Sequence, residues 1–161
     1  MVYRIDPSYT NALIDANVLD HVGGPEDAVV DRILALHEEG KVSLLLPHSV
    51  KAEIEHPSTP APVKQRALAL VFTERVSLTP EETCRHRKVR NLVSGNAKPG
   101  KHDRDAYHVA ESAKYGGYFI TRDERLIKKR AEIAKFLGQT FAIVTPTEFL
   151  EVYDRVEKQT R

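Results

Sequence analysis

The chain has 161 residues and a mass of 18.1 kDa, with 41% apolar and 29% charged residues, 8 Gly, 9 Pro and a formal net charge of +1. A chain of this size hides roughly 70% of its unfolded surface on folding, so the composition excludes a disordered or fibrous polypeptide and predicts one self-sufficient domain over residues 1–161. The longest apolar run, Ala67 to Phe72, falls far short of the roughly 20 residues of a membrane span, the stretch Met1 to Pro7 lacks the apolar core of an export signal, and a lone Cys84 rules out an internal disulfide or a C-x-x-C zinc site, so a cytoplasmic protein with no membrane partner is expected.

Ala12-Leu13-Ile14 is a short apolar run that reads as a buried strand, with Asp15 at its end and a helical turn following through Asn17, Val18 and Leu19. Val29, Ile33 and Leu36 recur at helical spacing after Pro25, Glu26 and Asp27 favour the positive helix end, and Gly40 supplies the stop. Val42 to Leu46 predicts a second buried strand closed by Pro47, and Ser49 to Glu55 a short helix before Pro57. Three prolines between His56 and Pro62 make a stiff connector, after which a helix resumes near Val63.

Thr79-Pro80-Glu81-Glu82 combines a capping Thr, Pro at the first helical position and Glu at the third, and opens a basic helix ending at about Ser94 before Gly95. An exposed loop from Gly95 to His102 leads to a helix over about Asp103 to Tyr115 whose Ala106, Val109, Ala110 and Ala113 form a narrow stripe suited to packing on a sheet. Tyr118 to Thr121 predicts a strand with Asp123 at its end, Glu124 to Phe136 a helix, Phe141 to Val144 a fourth strand, and Thr147 to Glu157 a closing helix with Pro146 near its start. Strands alternating with helices imply a three-layer α/β/α fold with a mainly parallel central sheet.

Ligands of such sheets bind in the crevice beyond the carboxyl ends of the strands. Asp15 and Asp123 follow strands, Glu53 lies on the helix after the second strand, and Asp105 in the first turn of its helix, so all four can face one crevice. Carboxylates crowded together repel unless they take up protons or share a cation. Oxygen-only donors suit Mg²⁺ or Mn²⁺, ions that usually work on phosphoryl groups by activating water and neutralising charge at phosphorus.

Three stretches carry a resemblance: Leu13-Ile14-Asp15-Ala16-Asn17-Val18-Leu19; Leu46-Pro47-His48-Ser49-Val50-Lys51-Ala52-Glu53-Ile54; and Asp105-Ala106-Tyr107-His108-Val109-Ala110 continuing to Tyr118-Phe119-Ile120-Thr121-Arg122-Asp123. In order and character they resemble the PIN-domain nuclease superfamily, which includes the VapC-type toxins of bacterial toxin–antitoxin pairs. The third stretch is the most specific, an Asp and a small-residue helix followed sixteen residues later by the strand ending Thr-x-Asp. The resemblance implies that Asp15, Glu53, Asp105 and Asp123 are catalytic and metal-binding acids, that Asn17 and Thr121 support them, that RNA is cleaved, and that a second copy of the chain or an antitoxin protein is a partner. Residues 57–102 are similar to the family only in being helical.

Competing readings attach to the same residues. Asp103 offers an acid two residues before Asp105, but the two lie about 200 degrees apart around a helix, which makes Asp103 a capping residue with a reserve role as ligand and Asp105 the ligand. The seven histidines lack the spacing of zinc sites, so His102 and His108, which flank Asp105, read as surface or packing residues. Arg85 to Arg104 holds seven Lys or Arg against the single Asp103; this is either a solvated helix face or a polyanion-binding run in which Lys98, Lys101 and Arg104 stand at the edge of the site. Two alternatives to a ribonuclease remain: a PIN-like module that binds RNA or protein without cleaving, and an Asp-nucleophile phosphatase built on Asp15, for which Asn17 replaces the usual second Asp.

Overall fold

Ala12 and Ile14 bury on one side of the first strand and Leu13 on the other, the alternation expected when both faces of a strand are covered. The structure is a computed structural model that describes residues 5–75, 77–98, 100–138 and 140–160. Met1 to Arg4 of the N-terminal stretch and Pro99 of the loop before Asp103 lie outside the described residues. The elements, after a 3-10 turn at Pro7–Tyr9, are β1 (Asn11–Ile14), a 3-10 turn at Ala16–Leu19, α1 (Glu26–Glu38), β2 (Ser43–Leu46), a 3-10 turn at His48–Val50, α2 (Lys51–Glu55), α3 (Ala61–Ala67), β3 (Val71–Phe72), α4 (Pro80–Ser94), α5 (Asp103–Tyr115), β4 (Tyr118–Ile120), α6 (Glu124–Leu137), β5 (Ala142–Val144) and α7 (Pro146–Thr160).

The five strands form one sheet in the order β3-β2-β1-β4-β5, with every pairing parallel. On one face Ala12, Ile14, Leu44, Leu46, Tyr118, Ile120 and Val144 pack against Val30, Ile33 and Leu36 of α1, Val63 and Ala67 of α3, and Phe149, Leu150 and Tyr153 of α7. On the other, Leu13, Phe119 and Ile143 meet Val89 and Val93 of α4, Ala106 and Val109 of α5, and Leu126 and Ile133 of α6. The expected three-layer α/β/α architecture is therefore present, and the sheet is entirely parallel.

Local chemistry accounts for most boundaries. Thr79 and Glu82 make the reciprocal capping box at the start of α4, with backbone-to-side-chain distances of 3.2 and 3.0 Å, and Gly95 ends that helix with a positive φ of 51°. Four expectations change in detail. The two-residue edge strand β3 was not foreseen, being too short for any periodicity to declare it. Ser49 to Glu55 begins as a 3-10 turn before becoming α2, and Thr121 lies just past β4 rather than in it. Among the described residues Asp103 has no capping partner: His102 holds the N-cap position and Asp103 is already the first helical residue.

Gly116 lies where α5 turns into β4. A Cβ there would stand 2.2 Å from the backbone oxygen of Asn11, so only glycine lets the chain pass this close to β1. Gly116→Ala should therefore destabilise the fold by about 1–3 kcal/mol through overpacking, read as a lower urea midpoint with an unchanged slope.

Candidate functional site

β1 is the switch point of the sheet, because β2 and β3 extend from it to one side and β4 and β5 to the other. The crevice beyond adjacent strands winding in opposite directions is where this class of fold places its ligands. Asp15 follows β1 directly, and its backbone N–H donates to the Ile120 carbonyl at 3.0 Å, extending the β1–β4 ladder into the crevice. Thr121 leaves β4 alongside it and donates its hydroxyl to Asp15 Oδ2 at 2.8 Å. The Asn17 amide lies 3.4 Å from both that oxygen and Thr121 Oγ1, and Asn17 Oδ1 accepts from the Arg122 backbone N–H at 3.1 Å. Both expected supporting residues thus contact Asp15.

Glu53 reaches the crevice from α2, and Asp105 and His108 reach it from α5. One carboxylate oxygen from each of Asp15 and Glu53 and one ring nitrogen of His108 lie within 4.8 Å of one another. Of the four predicted acids, then, Asp15 and Glu53 come together at ion-sharing distance, and the third member is a histidine read from sequence as a surface or packing residue. The surface half of that reading is overturned: His108 is 1% exposed, its Nε2 is 2.8 Å from Glu53 Oε1, and its Nδ1 is 2.7 Å from Ser49 Oγ. The usable signal was its position three residues after Asp105, which sets both side chains on one helix face.

Asp105 and Asp123 form a second pair in the same site. The Arg125 guanidinium bridges them, at 3.0 Å from Asp105 Oδ2 and 3.2 Å from Asp123 Oδ2, and also contacts His102 Nδ1. Asp123 additionally caps α6 by accepting from the Arg125 backbone N–H at 2.9 Å, as its position before the helix led one to expect. Arg125 had no place in the sequence reading, since a cation two residues past an acid is unremarkable until the fold lays it across a second acid. Asp103 lies apart, lining a cleft of about 540 Å³ with Arg90, Ser94 and Gly95. Arg104 is exposed at the rim with Nη1 3.9 Å from Glu53 Oε1, and Lys98 and Lys101 are exposed on the segment before α5.

The charges explain the titration behaviour. Burial pushes the Asp15 carboxyl up to about 6, against the opposing pull of His108 and the Thr121 hydrogen bond, while Glu53 and Asp105 add repulsion. Asp105 is raised as well, first by burial and then by Asp123. Glu53 is lowered, chiefly because His108 donates to it. Among the described residues, then, Asp15 is a buried carboxylate held by neutral donors, whereas Asp105 and Asp123 have an arginine. No protein-family model, curated protein or solved structure matches the chain.

In chelator, the Asp15 proton is held more tightly by the folded protein than by the unfolded chain between pH 3.8 and about 6. The stability this contributes is complete below that window and lost as pH rises through it. Asp15→Asn removes the buried charge, so in urea unfolding with chelator the variant should be more stable than the wild type at pH 7.5 by up to about 3 kcal/mol, and the gap should close towards pH 4. Equal midpoints at both pH values would show that Asp15 ionises without this penalty.

Proposed function

We propose that this chain is a divalent-metal-dependent endoribonuclease that hydrolyses phosphodiester bonds of single-stranded RNA. The observation that carries this reading is the meeting of Asp15 and Glu53 within 4.8 Å of each other and of His108 at the sheet's switch point, with Asp105 and Asp123 beside them. A buried carboxylate raised to about 6 beside like charges has a strong reason to take a cation. The donors are mainly carboxylate oxygens, which fit Mg²⁺ or Mn²⁺. Asp15 and Glu53 would hold the ion, with Asp105 and Asp123 adding to the negative field. When bound, such an ion lowers the pKa of a water and offsets charge developing at phosphorus.

The protein's own groups have definable tasks. Thr121 and Asn17 fix one oxygen of Asp15, which orients its carboxylate before any ligand arrives. Arg104, exposed at the rim, offers a charge to the RNA backbone, and Lys98 and Lys101 extend that positive approach. The likeness of the three sequence stretches to PIN nucleases supports the same chemistry, and by that likeness a second copy of the chain and an inhibitory antitoxin are the expected protein partners. The phosphatase reading is weaker, because Asn17 stands where a second Asp is usual and the Asp15 carboxylate is engaged by two donors.

Purified protein incubated with a panel of labelled single-stranded RNAs should cut them with Mg²⁺ or Mn²⁺, fall to background with excess chelator, and lose cleavage in Asp15→Asn. Undiminished cutting by that variant overturns the assignment. RNA binding without turnover at any metal favours an inert module, and a phosphorylated Asp15 favours the phosphatase.

A further inference from the structure

We infer that His108 is a positioning residue for Glu53, held in its Nε2–H form by Ser49, and that Glu111 and Thr73 anchor the turn that carries Ser49. This deepens the metal reading above and rests on it for its consequence, but its geometry stands on hydrogen bonds alone.

His108 Nε2 lies 2.8 Å from Glu53 Oε1, and a carboxylate oxygen only accepts, so the proton in that bond belongs to Nε2. The hydroxyl of Ser49 lies 2.7 Å from Nδ1 and has no other hydrogen-bond partner among the described residues. Donation from that hydroxyl to Nδ1 satisfies the hydroxyl hydrogen and selects the ring form whose N–H is aimed at Glu53. Both ring nitrogens are thereby occupied, and an ion could bind His108 only by displacing Glu53 or Ser49. His108 therefore holds one oxygen of Glu53 in place and leaves the other for a ligand.

Ser49 is itself fixed from behind. Glu111, 1% exposed, accepts from the Ser49 backbone N–H at 3.2 Å and from the Thr73 hydroxyl at 3.3 Å, while Thr73 Oγ1 accepts from the His48 backbone N–H at 2.9 Å. Two consecutive amides of the 3-10 turn are thus pinned by a carboxylate on α5 and by the residue just after β3. Asp105, His108 and Glu111 recur every three residues, which puts site acid, positioning imidazole and turn anchor on one face of α5. Partners that orient a ligand in this way typically change metal affinity 10–100-fold when removed.

Two readouts test this. Long-range ¹H–¹⁵N spectra of the wild type should show His108 as the Nε2–H tautomer, with that preference lost in Ser49→Ala; an Nδ1–H tautomer, a doubly protonated ring, or a ring unaffected by Ser49→Ala overturns the inference. Mn²⁺ binding followed by electron paramagnetic resonance should weaken about 10–100-fold in His108→Ala and to a lesser extent in Ser49→Ala. It should recover in His108→Gln, whose side-chain amide can donate to Glu53 from near the Nε2 position, with circular dichroism showing each variant folded. His108→Gln as weak as His108→Ala, with Ser49→Ala unchanged, makes His108 a direct ligand and overturns the positioning role, as does equal binding by all variants. A wild type that binds no Mn²⁺ but shows the Nε2–H tautomer sinks the metal reading and leaves the His108–Glu53 arrangement supported.

Discussion

The pairing of β1 with β4 is the contact on which the site depends. β1 is joined to β2 soon after it in sequence, but to β4 only after the chain has built α1 to α5. That long return makes β1 the point where the winding of the sheet reverses, and the reversal opens the crevice. The ladder runs one residue past the strands, through the Asp15 N–H and the Ile120 carbonyl, so Asp15 and Thr121 arrive side by side in a fixed register. A slip of one residue would send Asp15 to the opposite side of the strand.

Around that junction the protein neutralises negative charge in two different ways. Asp105 and Asp123 share the guanidinium of Arg125, an internal cation supplied by the first turn of α6. Asp15 receives hydrogen bonds from Thr121 and Asn17, which orient the carboxylate but cannot cancel its charge. Glu53 falls between these cases, steadied by a buried imidazole and a distant Arg104. The uneven distribution leaves the uncompensated negative charge concentrated at Asp15.

α5 is the element that makes both ends of this arrangement compatible. Its small residues Ala106 and Val109 press into the core against Leu13 and Phe119, which brings the helix close to the sheet. The same closeness carries Asp105, His108 and Glu111 to the turn after β2 and to the crevice. A larger residue on the apolar stripe would lift the polar stripe away from its partners, so packing on one face of α5 sets hydrogen-bond geometry on the other.

Much of this was legible in the residues, because it rests on rules that act over a few positions. Apolar runs, the Thr79 capping box, Gly95 and the prolines mark the elements locally, and the alternation of strands and helices constrains the sheet to be parallel. Asp15, Asp105 and Asp123 could be picked out because each stands beside an element end. Val71 and Phe72 gave no such mark, since an edge strand of two residues exists only by virtue of the neighbour it pairs with. His108, Ser49 and Arg125 also escaped, for a related reason. Local rules reveal which side chains share a helix face, but the partner on another element is set by long-range packing: Ser49 meets His108 across 59 positions and Arg125 meets Asp105 across 20. The sequence by itself determined the layers and the acids available to the crevice; only the tertiary structure decided which acid would receive an arginine, which an imidazole, and which would remain buried without a cation.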